Sequence, residues 1–123
     1  MKKSSFATIT TDEVVSKYVN AALGQEAAIM RGNRKEADRQ HAIATRAYEE
    51  LSRRSERGRI VSLLNHDAAV VRGWAAAHAL RFNPDAAIPV LEHLLEHAVG
   101  IASLNAHIAL QLWREGKIPK DIG

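Results

Sequence analysis

The stretch from Leu63 to Phe82 constrains the fold most: Leu-Leu-Asn-His-Asp-Ala-Ala-Val-Val-Arg-Gly-Trp-Ala-Ala-Ala-His-Ala-Leu-Arg-Phe. At about 100° per residue, Val70, Val71, Trp74, Ala75, His78 and Phe82 share one broad face, and Gly73, Ala76 and Leu80 lie nearly opposite. A helix that is apolar or small on both sides must be covered on both sides. This segment therefore reads as the middle layer of stacked helices. Asp67 is its expected N-cap, because a carboxylate there accepts from first-turn amides and suits the positive helix end. His78, on the apolar face, reads as a neutral histidine bonded to backbone.

Two longer helices are expected before it. Thr10-Thr11-Asp12-Glu13 is a capping-box pattern, with Thr10 as cap and Glu13 three residues on. The helix it opens has an inward face of Val14, Val15, Tyr18, Val19, Ala22, Leu23, Ile29 and Met30, interrupted by Gly24. Glu26 falls within that face; it reads as an edge-of-face or arginine-paired acid at a Gly24 kink, the alternative being a binding or proton-handling group. Gly32-Asn33 stops the helix, and Asn33 caps the next.

The second helix is expected from Arg34 to about Arg57, with Ala37, Ile43, Ala44, Ala47, Tyr48 and Leu51 inward. Lys35, Arg39, Arg46, Arg53 and Arg57 form a basic stripe on its far side. Residues 31–59 hold nine Lys/Arg against five Asp/Glu, so most of the chain's net charge of +3 sits here. Glu49 and Glu50 stand four residues before Arg53 and Arg54, the favourable order for pairing along a helix. The stripe has two readings, a solvated face with its own ion pairs and a surface for phosphate.

A short helix over Ile60, Val61, Leu63 and Leu64 follows, then the Asp67-capped helix. Asn83-Pro84 restarts the chain, with Asn as cap and Pro supplying a fixed φ. The next helix shows Ala87, Ile88, Leu91, Leu94, Leu95 and Ala98 inward, with an irregular or tight first turn expected around Pro89. The last helix, Ile101 to about Glu115, shows Ile101, Leu104, Ile108, Ala109, Leu112 and Trp113 inward. Asn105 also points inward, towards a backbone carbonyl.

An internal repeat runs through this half. Shifted by 31 residues, Ile60, Leu63, Leu64 and His66 fall on Leu91, Leu94, Leu95 and His97; shifted by 30, Ala76 and Leu80 fall on Ala106 and Leu110. A helical hairpin of about 30 residues used twice is a solenoid signature. With Asp67, Val71-Arg72 and Ala86-Ile88-Pro89-Leu91 in these places, residues 60–115 resemble HEAT-like repeats of the armadillo-type superfamily. The whole chain resembles a small bacterial family of HEAT-like proteins of unknown function. Ala98 and Ser103 stand where the first copy has Asp67 and Arg72, so the ladder that extends long HEAT arrays is missing. The resemblance implies an all-α, HEAT-like α-α superhelix of about six helices. In it, two long helices lead into two hairpin repeats, and the second helix of each pair lines a concave surface. It would place Arg72, Ala76, Ser103, His107, Gln111 and Arg114 towards a groove.

The expected organisation is a flexible arm over residues 1–10, one helical domain over 11–116 and a tail over 117–123. The start lacks the apolar core of a signal peptide, and no apolar run reaches the roughly 18 residues of a membrane span. With no cysteine there is no disulfide framework, and a cytoplasmic location is expected. His93 and His97, four apart with Glu96 between, have helical metal-ligand spacing but lack a third strong ligand. A solvated face with His93 paired to Glu96 is the expected state, and no metal or cofactor is expected. No Gly-rich phosphate loop, nucleophile elbow or spaced carboxylate pair occurs, so the chain is not expected to be an enzyme. The leading expectation is a protein–protein interaction module, as monomer or homodimer, using the concave face. The alternative is nucleic-acid binding through the basic stripe.

Overall fold

Why this sequence makes helices and nothing else is visible at each helix start and stop. A computed structural model describes residues 6–121. Among them are six α-helices, a 3-10 turn at Leu63–Asn65 and no strand. They group into two compact units, Met1–Arg59 and Ile60–Gly123.

The first unit is a helical pair, α1 (Thr11–Met30) packed on α2 (Arg34–Arg53). The capping box forms as expected: the Thr10 amide donates to Glu13 Oε1 at 2.8 Å, and the Glu13 amide donates to Thr10 Oγ1 at 3.1 Å. Asn33 caps α2 by accepting from the Glu36 amide at 3.1 Å. Val14, Tyr18, Ala21, Ala22 and Ala28 of α1 are buried, as are Ala37, Ala44, Ala47, Tyr48 and Leu51 of α2. Met30, expected inward, is 78% exposed, and Leu23 is also exposed. The inward face is built from alanine instead. The expected Gly24 kink is not an interruption, since α1 runs through it. A Cβ at Gly24 would lie 3.1 Å from Gln40 Cδ, so the glycine makes room for a side chain of α2. Glu26 is half-buried at the edge of the face.

α1 closes with a Schellman motif: Gly32, at φ 73°, donates to Ile29 O, and Asn33 donates to Ala28 O. The same two bonds end α2, from Ser55 to Ser52 O and from Glu56 to Leu51 O. There the left-handed position is held by Ser55, at φ 59°. So α2 stops at Arg53, short of the expected Arg57, and Arg57 is not on the helix.

The segment before α1 is not loose throughout. Residues 1–5 of the expected arm lie outside the described residues. Phe6 O and Ile9 O both accept from Arg54 Nη2, at 2.6 and 2.8 Å.

The chain enters the second unit within α3 (Gly58–Ser62) and continues through the 3-10 turn Leu63–Asn65. α4 (Ala69–Ala79), α5 (Pro84–His97) and α6 (Ile101–Arg114) then pack on one another, and α4 also packs on the 3-10 turn. Asp67 does not cap α4. The helix starts one residue later than expected, with Ala68 at the cap, so the Asp67 carboxylate falls too early to reach the first-turn amides. No side chain caps α4; His66 Nδ1 accepts from the amide of Ala68 itself, at 3.0 Å. Val70, Val71, Gly73, Ala75, Ala76, Ala79 and Leu80 are buried, so α4 is covered on both sides as its sequence requires. Trp74, His78 and Phe82 are only half-buried. A Cβ at Gly73 would stand 3.6 Å from Leu94 Cδ1, which measures how near α5 comes.

Asn83 caps α5 by accepting from the Ala86 amide, and its own carbonyl accepts from both Ala86 and Ala87. That shared carbonyl is the tight first turn expected there. Pro89 sits inside the helix on the exposed side without breaking it. Ala87, Leu91 and Leu94 are buried, while Leu95 is partly exposed.

The inward face of α6 is the main correction. Ala102, Ala106, Ala109 and Leu110 are buried, whereas Leu104, Ile108 and Leu112, all expected inward, are 53%, 45% and 36% exposed. Of the six aligned pairs of the internal repeat, Ile60 with Leu91, Ala76 with Ala106 and Leu80 with Leu110 match in burial, whereas Leu63 with Leu94, Leu64 with Leu95 and His66 with His97 do not. Gly116, at φ 71°, ends α6 with the same Schellman bonds as α1.

Because Ser55 holds a backbone conformation that costs an L-residue energy, Ser55→Gly is expected to stabilise the protein. The gain should be about 0.5–1 kcal/mol, reduced by the greater freedom of glycine in the unfolded chain. Chemical denaturation of the two proteins checks it.

Candidate functional site

Two surfaces carry the residues singled out from the sequence, and they differ in how much of their polarity is already used. On α2, Lys35, Arg39, Arg46 and Arg53 are exposed along one side. Arg39 donates to Glu36 through Nε at 3.0 Å and Nη2 at 3.2 Å, a bidentate pair. That hydrogen bond, aided by one from Gln40, holds the Glu36 carboxyl at about 2. Arg53 makes the equivalent bidentate pair with Glu50. Arg57, off the helix, is half-buried and no longer shares the stripe.

Glu50 is the one buried charged residue among those described. It accepts from Arg53 and also from Arg54 Nε, at 2.6 Å. The expected Glu49–Arg53 pair does not form, because Arg53 reaches three residues back and not four. Hydrogen bonding from Arg53 pulls the Glu50 carboxyl below its usual range against the opposing effect of burial, with Arg54 adding to the pull. Arg54 Nη1 meanwhile donates to Thr11 Oγ1 at 3.1 Å. This cluster is a structural knot, and its charges are satisfied within the chain.

In the second unit the residues expected to line a groove separate. Ala76 is wholly buried and so cannot touch a partner; it is part of the packing of α4. Arg72 is half-buried and holds the turn before α4, donating through Nη1 to His66 O at 2.8 Å and Asp67 O at 3.0 Å. Ser103 is half-buried. His107, Gln111 and Arg114 are exposed on α6, with Gln111 Nε2 donating to Glu115 Oε2 at 3.2 Å.

What sequence reasoning missed is the company these residues keep. Leu104, Ile108 and Leu112 stand out to solvent beside them, four residues apart and so on one side of the helix. Between Glu96 and Arg114 there is no Asp, Glu, Lys or Arg, the longest such interval in the chain. That interval was the available signal: a helix without formal charge whose large apolar residues exceed one face leaves some of them outside unless something covers it.

The histidines of α5 are exposed, with the rings of His93 and His97 4.4 Å apart between centroids. Glu96 approaches His97 Nε2 at 3.6 Å, so the pairing expected for His93 falls to its neighbour. No group of three His, Asp or Glu side chains suited to a metal occurs among the described residues. The Trp74 and His78 rings meet at 5.8 Å, tilted by 45°. Asn105 is half-buried, and its side chain bonds no backbone carbonyl among the described residues. No helix among the described residues is long and apolar enough to cross a membrane.

The structure is similar to the crystal structure of the protein RPA1889 from Rhodopseudomonas palustris CGA009. The TM-score is 0.85 at 22% sequence identity, covering 93% of this chain and 96% of that one. At that identity the likeness concerns the fold alone. No protein-family model and no curated protein matches the chain.

A depressed carboxylate stabilises the fold where it is ionised and its unfolded counterpart is too. Glu50 therefore contributes above its ordinary value of 4.5, and the contribution is lost as pH falls below that. Glu50→Gln is expected to lower stability by about 2 kcal/mol at pH 7, the scale of charge-assisted hydrogen bonds. The gap should narrow below pH 4.5, as thermal melts of both proteins across pH would register.

Proposed function

We propose that this chain is a non-catalytic protein–protein interaction module of HEAT-like build, acting in the cytoplasm, and that it grips its partner through the outer face of α6. One observation carries the reading: Leu104, Ile108 and Leu112 are exposed in a row, free of formal charge and flanked by His107, Gln111 and Arg114. Binding surfaces have cores depleted in charge and rims that are polar, which is this pattern on a small scale. Three of the six aligned pairs, Ile60 with Leu91, Ala76 with Ala106 and Leu80 with Leu110, are buried in both copies, which is the support for two hairpin repeats.

Nucleic-acid binding through Lys35, Arg39, Arg46, Arg53 and Arg57 is the second reading, favoured by the local excess of positive charge in residues 31–59. It ranks lower because Arg39 and Arg53 are already engaged by Glu36 and Glu50, so phosphate would have to displace a carboxylate at each.

Tagged protein from a native lysate is expected to retain a specific partner, and Ile108→Glu and His107→Glu are expected to release it. Both positions are exposed, so stability should move by no more than about 0.5 kcal/mol. Arg72 is unsuitable for this test because it holds the turn before α4. On heparin or duplex DNA, retention should be weak already at about 50 mM salt; tight retention that collapses by about 200 mM would transfer the argument to α2.

A further inference from the structure

We infer that His93 and His97 chelate a divalent transition-metal ion at the end of α5, taking Cu²⁺ ahead of Ni²⁺ and Zn²⁺, with water completing the coordination. The site shares no residue with the α6 face and stands or falls without it. Residues four apart on a helix project from the same side, one turn apart, so two imidazoles placed there can reach one ion. In α5 they are already neighbours: the ring centroids are 4.4 Å apart, the planes are tilted by 38°, and both side chains are exposed. Two nitrogens held by one ion at about 2.1 Å each stand roughly 3 Å apart. The 4.4 Å between ring centres leaves their nitrogens within reach of that spacing.

The surroundings favour a cation. Glu96 Oε1 lies 3.6 Å from His97 Nε2, so an ion bound at that nitrogen has a carboxylate beside it. From Phe82 to Trp113 the chain carries Asp85, Glu92 and Glu96 and no Lys or Arg, an acidic stretch in a protein of net charge +3. No fixed positive charge on α5 therefore opposes the ion. His97 is also the last residue of α5, where the unsatisfied carbonyls make the negative end of the helix.

Donor type selects the ion. Imidazole nitrogen suits copper, nickel and zinc, and their affinities for such donors peak at Cu²⁺. Calcium and magnesium take oxygen ligands and gain nothing from the pair. With two strong donors, and no third suited to a metal among the described residues, the ion is held reversibly at the surface.

Calorimetric titration of the full chain without a histidine tag is expected to show a saturable site for CuCl₂, NiCl₂ and ZnCl₂, tightest for Cu²⁺, and none for CaCl₂ or MgCl₂. His93→Ala and His97→Ala should each weaken Ni²⁺ binding roughly a hundredfold, because the second contact to a chelated ion is intramolecular. His41→Ala, on α2, should bind as the wild type does. Both α5 histidines are exposed, so the variants should melt with the wild type in EDTA, while the rise in Tm that Ni²⁺ gives the wild type should be lost. Undiminished Ni²⁺ binding by either α5 variant overturns the inference, as does an equal loss in His41→Ala. Ca²⁺ binding as strong as Ni²⁺ binding would also overturn it, by assigning the ion to carboxylates.

Discussion

Close approach of helices through alanine and glycine is the constraint on which the rest of the molecule depends. Among the described residues, alanine supplies 13 of the 25 buried apolar residues, so most contact faces carry little side chain. Thin faces let helix backbones come near one another, and the separation of packed helices is set by the side chains between them. Gly73 beneath Leu94, and Gly24 beside Gln40, are two points where a neighbouring side chain takes the place of a Cβ. A few larger residues fill what the alanines leave, Tyr18, Tyr48 and Leu51 in the first unit and Leu80, Leu91, Leu94 and Leu110 in the second. The consequence for surface chemistry is direct. Once small residues occupy the inside of α6, its leucines and isoleucine have only the outside left.

The polar part of the molecule is arranged differently. Charges on α2 are largely answered on α2, by Glu36 with Arg39 and by Glu50 with Arg53 and Arg54. Arg54 then uses its remaining donors on the chain before α1, so one guanidinium joins the end of α2 to the start of α1. A guanidinium suits this because its donors are fixed in a plane and reach several acceptors at once. The positive excess seen in the sequence is thus partly structural.

Features that depend on one or two neighbouring residues were legible in the sequence. Thr10 with Glu13, Asn33, and Asn83 with Pro84 all act where local stereochemistry puts them, because a cap is decided within four residues. The end of α2 was not legible, since Ser55 takes a conformation whose usual marker is glycine. Asp67 failed for a related reason. A shift of one residue in the helix start moves the cap to Ala68, so the first turn of α4 has no side-chain cap. The inward face of α6 could not be read from periodicity, because both of its sides are apolar. Size is no guide there: Ala102, Ala106, Ala109 and Leu110 fill the contact, and Leu104, Ile108 and Leu112 lie outside it. Of the residues expected towards a groove, His107, Gln111 and Arg114 are exposed and Ala76 is buried, while the row exposed beside them, Leu104, Ile108 and Leu112, had been expected inward.

Arg81 and Asp121 close the second unit in a way that bears on its motions. The Asp121 amide donates to Arg81 O at 2.9 Å, and Arg81 Nε stands 3.3 Å from Asp121 Oδ1. Forty residues of chain, including all of α5 and α6, thereby become a loop with both ends fastened. A helix followed by loose chain unravels from its last turn, whereas one followed by an anchored segment must release the anchor first. The chain that leaves α6 is therefore tied back, at Asp121, to the residue two beyond the end of α4.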